Sequence, residues 1–555
     1  MAEQTETQKA LERQNKLYAM YRRCKVLIIE DSAQARGMLR GMLRDLTVEH
    51  IDMAMSGQDG IEHLRRVQYD IVLCDYNLGK GKDGQQVLEE ARFGKYLKYS
   101  TVFIMITAET SVEMVMGALE YQPDSYLSKP FTRNELKLRL DRAMQAKIEF
   151  RTIDAAFEKA QYEEAIGLCQ TRIEAEPTPQ MRARRVMAES LVKLERYEEA
   201  RDIYAAVAAE RGLPWALIGL GKTAHFLGNN DDANRRFRKL IQAHPNVVES
   251  YDWLARVLVA QDRAREAQDV LEEACARSPK AVLRQMELAR LALSNRSYLV
   301  AEKAYRKAIV LANDSCYRSP ENFLQYVRTL LVKIEGQQGK LAREAFNEAL
   351  TFIGRMRKEF EGNQLVDFRA TMLEGLVLHY GGKSTESQVA VSRAITRYDS
   401  LNERVQEAFA DEYVTTLALV GNISQSRTVL SMLVKRGVRD ELITHLSSRI
   451  ELGLRRLNSE KLNREALALY ERGQILEAHK AFTAAASASG ASANLLLNAV
   501  TVCLELAERQ DLNQEDWRRE CETYLNRLKE LDQCDHRYEH YESLCQRFSQ
   551  LSAAA

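Results

Sequence analysis

Residues 71–77 read IVLCDYN, four apolar residues closed by an aspartate at position 75. The same form stands at KVLIIED (25–31) and TVFIMITAE (101–109), with a shorter version, SYLSKPF, at 125–131. Apolar runs without alternation predict strands buried on both faces. Helical patterns separate them, among them SAQARGMLRGMLRDL (32–46) and GIEHLRRVQ (60–68). Strands alternating with helices predict an α/β fold with a doubly wound parallel sheet. Ligands of such sheets meet the carboxyl ends of the strands, and there the chain carries Glu30, Asp31, Asp75, Thr107 and Lys129.

Together these side chains describe one chemistry. An aspartate carboxylate is a nucleophile toward phosphorus and yields an acyl phosphate. Repulsion between carboxylate and phosphoryl group must first be cancelled, which a hard divalent cation on oxygen ligands does. Asp31 and Asp75 are the natural direct ligands, with Glu30 reaching the ion through water. Lys129 and the Thr107 hydroxyl are expected to hold the transferred phosphoryl oxygens. Lys129 precedes Pro130, where a cis bond would point the ammonium into the pocket. One strand-end aspartate is more often structural. An acid pair, an aspartate, a threonine and Lys-Pro, each at the right strand end in order, are a far rarer coincidence.

Over residues 24–146 the chain resembles the response-regulator receiver family. The matching residues are Glu30-Asp31 ending the first strand, Asp75 the third, Thr107-Ala108 the fourth, and Tyr126 with Lys129-Pro130 at the fifth. The resemblance implies a five-stranded parallel sheet, Asp75 as phosphoacceptor, and Mg2+ bound by Asp31, Asp75 and the Asn77 carbonyl. It also implies Thr107 and Tyr126 as a switching pair, and a cognate histidine kinase or phosphotransfer protein as phosphoryl donor. Asn77 and Glu109, two residues beyond the acceptor and the threonine, would tune dephosphorylation. They match the pair of the single-domain chemotaxis regulator and predict a signal lasting seconds to minutes. No enzymatic activity is expected beyond the receiver's own phosphorylation and dephosphorylation. One departure is visible: the loop NLGKGKDG (77–84) lacks the family's usual Met-Pro and is one residue longer. GKGKDG lacks the Gly-Lys-Ser/Thr ending of a nucleotide loop and is read as a plain loop.

Beyond residue 150 the pattern is helical and periodic. Alanine stands three residues after a short loop at Ala165, Ala200, Ala233, Ala267 and Ala301. Around Ala233 lie Leu220, Gly221, Ala224, Phe237 and Pro245; around Ala267 lie Leu254, Ala255, Leu258, Leu271 and Pro279. Small residues at a fixed period let two helices pack closely while large ones lie on the next unit. This resembles the tetratricopeptide repeat, and implies an all-α TPR-like helical solenoid whose output is protein binding. After Asn313 the phase loosens, with helices near 321–334, 338–360, 364–380, 384–398, 402–420 and 423–436. A clearer unit returns at Leu462, Ala466, Gly473, Ala478 and Phe482, and the segment with Trp517 and Tyr524 is read as a cap.

The expected organisation is a polar arm at 1–23, the receiver at 24–146, regular repeats at 147–313, divergent helical repeats at 314–458, and a C-terminal repeat-like unit with capping helices at 459–555. Thr132 and Glu135 form a capping box, and neither glycine nor proline intervenes from there to Gln161. That spacing predicts a receiver helix running on into the first repeat, against an alternative of two helices broken at 147–151.

Lys plus Arg and Asp plus Glu number 79 each, so a dedicated nucleic-acid partner is not expected. No apolar stretch approaches a membrane span or a secretory signal, so a cytoplasmic protein without membrane contact is expected. Nine cysteines without a C-x-x-C pair read as small buried hydrophobes. His536 and His540, near Cys534 and Cys545, read as surface histidines rather than a zinc site. The sequence therefore predicts a two-component response regulator that signals through phosphorylation-modulated protein binding, with homodimerisation open. The alternative is a constitutive scaffold whose receiver is a docking module or phosphate sink.

Overall fold

In the computed structural model, residues 18–108, 123–175, 180–334, 339–487, 491–509, 513–529, 531 and 537–554 are described. Five strands form one parallel sheet: β1 (Lys25–Ile29), β2 (His50–Ala54), β3 (Ile71–Asp75), β4 (Val102–Thr107) and β5 (Ser125–Ser128). Their spatial order is β2-β1-β3-β4-β5. Four flanking helices are α1 (Ala33–Asp45), α2 (Gly57–Arg66), α3 (Gly84–Phe93) and α4 (Arg133–Glu158). Successive strand residues point to opposite faces, which is why the runs need no alternation. Val26, Ile28, Ile71, Leu73 and Ile104 pack under α1 and α4 with Leu39, Leu43, Leu136 and Leu140. Leu27, Ile29, Val72, Phe103 and Met105 pack under α2 and α3 with Ile61, Leu64, Val87 and Leu88. The end of the N-terminal segment belongs to this core as well. Tyr21 is buried there, and its hydroxyl donates to the Asp141 carboxylate at 2.7 Å.

Helix α4 opens on the Thr132/Glu135 capping box and runs unbroken to Glu158, through the expected boundary at 146–147. Its first turns carry Leu136, Leu140 and Met144 into the receiver core, and its last carry Phe150 and Ile153 against Cys169 and Ala183 of the array. The chain divides into two compact units, Met1–Leu291 with Arg306–Arg318, and Ala292–Tyr305 with Ser319–Ala555.

Within the array the alanine period has a backbone counterpart. Ala160, Glu195, Gly228, Asp262 and Arg296 all have φ between 58° and 79°. Each is a left-handed turn residue ahead of one of the fully buried alanines 165, 200, 233, 267 and 301. Glycine fills only one of these turns, so composition hides them. The same left-handed turn recurs at Gly382, Gly421 and Gly473, followed by buried Ser387, Ser426 and Ala478. Two serines thus stand where the regular repeats have alanine. The Ser387 hydroxyl donates to the Gly375 carbonyl at 2.7 Å, and that of Ser426 to the Asn422 carbonyl at 3.0 Å. The segment expected at 402–420 breaks at Phe409 into Glu403–Ala408 and Ala410–Leu419. Helix Asp440–Glu471 runs through the expected boundary at 458–459.

Candidate functional site

Glu30 follows β1, Asp75 and Thr107 end β3 and β4, and Lys129 follows β5, so a parallel sheet gathers all four at one edge. Glu30 and Asp75 are buried while Asp31 is exposed. One oxygen from each of Glu30, Asp31 and Asp75 lies within 4.8 Å of the others. The Lys129–Pro130 bond is cis, and the Lys129 ammonium donates to Glu30 Oε2 at 2.8 Å and Asp75 Oδ2 at 2.9 Å. Burial lifts the Asp75 carboxyl above the ordinary aspartate range; the Lys129 hydrogen bond opposes this and the Glu30 charge adds to it. Burial acts to lower the Lys129 ammonium, but its bonds to Glu30 and Asp75 outweigh that and raise it.

Three carboxylates against one ammonium leave the pocket negative. A hard cation with oxygen preference fits that donor set, and a soft one does not. The Asp75 carboxylate can attack an electrophilic phosphorus once that charge is offset.

Loop residues 76–83 follow Asp75 and lead into α3, which is capped by Asp83 with a reciprocal Gln86 bond. Asn77 is exposed. Gly79 has φ 73°, and a Cβ there would stand 3.0 Å from Asp31 Oδ2. A Cβ on Gly84 would stand 2.2 Å from the Asp75 carbonyl oxygen. Thr107 is buried. The Tyr126 hydroxyl is buried with no hydrogen-bond partner among the described residues, and burial raises its pKa. Glu109 lies outside the described residues, as do Cys534 and His536.

Sequence reasoning missed the outer face of α3. Gln85, Glu89 and Glu90 are buried there although all are polar. Glu90 is paired with Arg65 and Lys82 and Gln85 accepts from the Tyr76 hydroxyl, all within the receiver, while an array segment meets Glu89 and its neighbours. Lys82 Nζ donates to the Asp314 carbonyl, Gln86 Nε2 to the Leu311 carbonyl at 3.4 Å, and the Ser315 hydroxyl to Glu89 Oε2 at 3.3 Å. Phe93 meets Tyr317 edge to face at 5.5 Å, and the Lys280 ammonium lies 5.5 Å over the Tyr76 ring. GKGKDG is thus a loop that docks on the chain's own array. Only a polar helix flanked by two lysine-bearing turns signalled this in the sequence.

Comparison with known proteins finds two kinds of domain in the chain. Residues 26–141 match the response regulator receiver domain. Chemotaxis protein CheY-3 of Vibrio cholerae serotype O1 is 32% identical over 121 residues, 22% of this chain and 92% of its own. The chain belongs to the response-regulator receiver family. Chemotaxis protein CheY of Pseudomonas aeruginosa is 28% identical, over 22% of this chain and 96% of its own. The solved chemotaxis protein CheY4 of Vibrio cholerae is 26% identical, covering 22% of this chain and 98% of its own with a TM-score of 0.20. Residues 215–246 and 253–315 match tetratricopeptide repeats. As a receiver protein the chain is a two-component response regulator, and no described helix is long and apolar enough to cross a membrane.

Proposed function

We propose that this response regulator accepts a phosphoryl group on Asp75 and thereby changes what its tetratricopeptide array binds. A histidine kinase or phosphotransfer protein supplies the group. An Asp75 oxygen forms the new O–P bond as the donor's N–P bond breaks and its imidazole leaves. Asp31, Asp75 and the Asn77 carbonyl, with Glu30 beside them, would hold Mg2+, and the bound cation would offset the charge that repels the donor. Lys129, already bonded to both Glu30 and Asp75, transfers its ammonium to a phosphoryl oxygen as the acceptor is modified. Thr107 donates its hydroxyl to another phosphoryl oxygen, and Tyr126, whose buried hydroxyl has no partner among the described residues, follows the threonine. Leaving such a hydroxyl unsatisfied costs about 1–3 kcal/mol, so its present position is readily exchanged for another. Asn77 and Glu109 admit and orient the water that ends the signal.

One observation carries the link to the array. The segment starting one residue after Asp75 is also the receiver's contact with the array, through Tyr76, Lys82, Gln86 and Glu89. Any shift of the loop on phosphorylation is therefore felt at residues 311–317. The test is amide hydrogen exchange of the full chain with and without acetyl phosphate and Mg2+. Faster exchange in 84–93 and 306–318 on phosphorylation, absent in Asp75→Asn, is expected. Phosphorylation of Asp75 without change there would favour the receiver as a docking module or phosphate sink.

A further inference from the structure

The C-terminal part of the array contains a polar cluster with no place in a repeat core. His479 lies on helix Ile475–Ser487, Cys503 on helix Ala493–Glu508, and Glu520 with Cys521 on helix Gln514–Leu528. Cys503 and Cys521 are wholly buried and His479 nearly so. Around them are Phe482, Leu497, Val500, Trp517 and Tyr524. His479 Nε2 is 2.8 Å from Glu520 Oε2, and Cys503 Sγ is 4.0 Å from the same oxygen. Cys503 Sγ also lies 3.7 Å from the Trp517 carbonyl oxygen, and Cys521 follows Glu520 directly on the same helix, its thiol buried beside this cluster. One atom each from His479, Cys503 and Glu520 lies within 4.8 Å of the others.

We propose that His479, Cys503, Glu520 and Cys521 form a structural zinc site that staples these three helices together. Zinc takes thiolate at about 2.3 Å and imidazole or carboxylate at about 2.0–2.2 Å in a tetrahedron, which places ligand atoms roughly 3.3–3.8 Å apart. His479, Cys503 and Glu520 already present one atom each within 4.8 Å of the others, and the Cys521 thiol must turn toward them to complete the tetrahedron. Two thiolates and an imidazole select zinc over magnesium or calcium. Four protein ligands and a dry surround make a closed site, the structural kind rather than the catalytic kind. A metal crosslink at this point would restrain three helices whose shared core is otherwise largely apolar. The site is independent of the receiver's oxygen cluster and of the proposal for Asp75.

The experiment is cobalt(II) titration of the chelator-treated, reduced full chain, with elemental analysis of the protein as purified. About one zinc per chain is expected after gel filtration. Cobalt should produce a near-ultraviolet thiolate charge-transfer band with tetrahedral visible bands, displaced by zinc. Cobalt at the Asp75 pocket cannot give the thiolate band, so Asp75→Asn should leave it intact. His479→Gln and the double Cys503→Ser, Cys521→Ser should abolish it, and Glu520→Gln should weaken affinity roughly tenfold or more. Because the decisive reading is on the wild-type chain, misfolding of a variant does not obscure it. A folded wild-type chain with both thiols free that yields no thiolate band overturns the proposal. So does a band that persists in the double cysteine variant.

Discussion

Asp75 is pulled in two directions, upward by burial and the Glu30 charge and downward by the Lys129 bond, with burial prevailing. Its folded-state pKa is therefore above the unfolded one, and the metal-free folded chain holds this proton more tightly. The resulting contribution to stability is present at pH below the ordinary aspartate value and is lost as pH rises through the raised value. In chelator, the denaturation midpoint plotted against pH should show that fall, and Asp75→Asn should flatten it. An unchanged profile would place the titration elsewhere. The same substitution removes the nucleophile. Labelling by a small phosphodonor with Mg2+ should then vanish, and wild-type labelling should need the metal. Lys129→Ala should retain label while losing its effect on partner binding. In the isolated receiver the label should decay within seconds to minutes; a half-life of many hours would contradict the roles given to Asn77 and Glu109.

At the scale of elements, α3 is clamped from both sides. Val87, Leu88 and Ala91 face the sheet, Glu89 faces Ser315 of the array, and Gly84 opens the helix against the Asp75 carbonyl. Even a methyl there must displace backbone, since it would lie at 2.2 Å. Gly84→Ala should destabilise the receiver by about 1–3 kcal/mol, read as a lower urea midpoint with an unchanged slope. Wild-type stability in that variant would mean the loop yields freely. Helix α4 poses a different question, because it is shared by receiver and array. A Gly-Ser insertion after Ala146 breaks its rigidity while leaving the α3 contacts in place. Array exchange that still responds to phosphorylation after the insertion assigns coupling to α3. A lost response assigns it to α4 acting as a lever.

For the molecule as a whole, receiver and adjoining array segment behave as one unit held by polar contacts. Lys280 sits over Tyr76, and its charge opposes the upward push that burial gives the half-buried Asp83 carboxyl. Lys280→Glu sets like charge against Asp83 and should loosen the dock without touching the phosphoacceptor pocket. Exchange in 306–318 should then be fast before any phosphodonor is added, and labelling of Asp75 should persist. Slow exchange in this variant would show that other contacts suffice to hold the receiver. Interfaces of this polar kind favour switching, because water can replace each lost hydrogen bond at little net cost.

Three of the four strand-end motifs were legible because β1, β3 and β4 are buried almost throughout, so hydrophobicity marks each strand and the first polar residue its end; the edge strand β5 is only partly buried and was marked by Lys129-Pro130 instead. The parallel topology then brings Glu30, Asp75, Thr107 and Lys129 to one edge without further information. The alanine period was legible for a similar reason: close helix packing excludes larger side chains at Ala165, Ala200, Ala233, Ala267 and Ala301. The divergent repeats were harder to read. Ser387 and Ser426 satisfy the same steric demand with a hydroxyl that finds a carbonyl, so size rather than residue type is kept. Other features depended on which surfaces meet. Glu89 is polar by type and is buried where Ser315, 226 residues away, meets it. His479, Cys503 and the adjacent Glu520 and Cys521 stand far apart in the chain until three helices bring them together. Local sequence determines which residues seek burial and which turn; contact between residues distant in the chain depends on packing that no local pattern encodes.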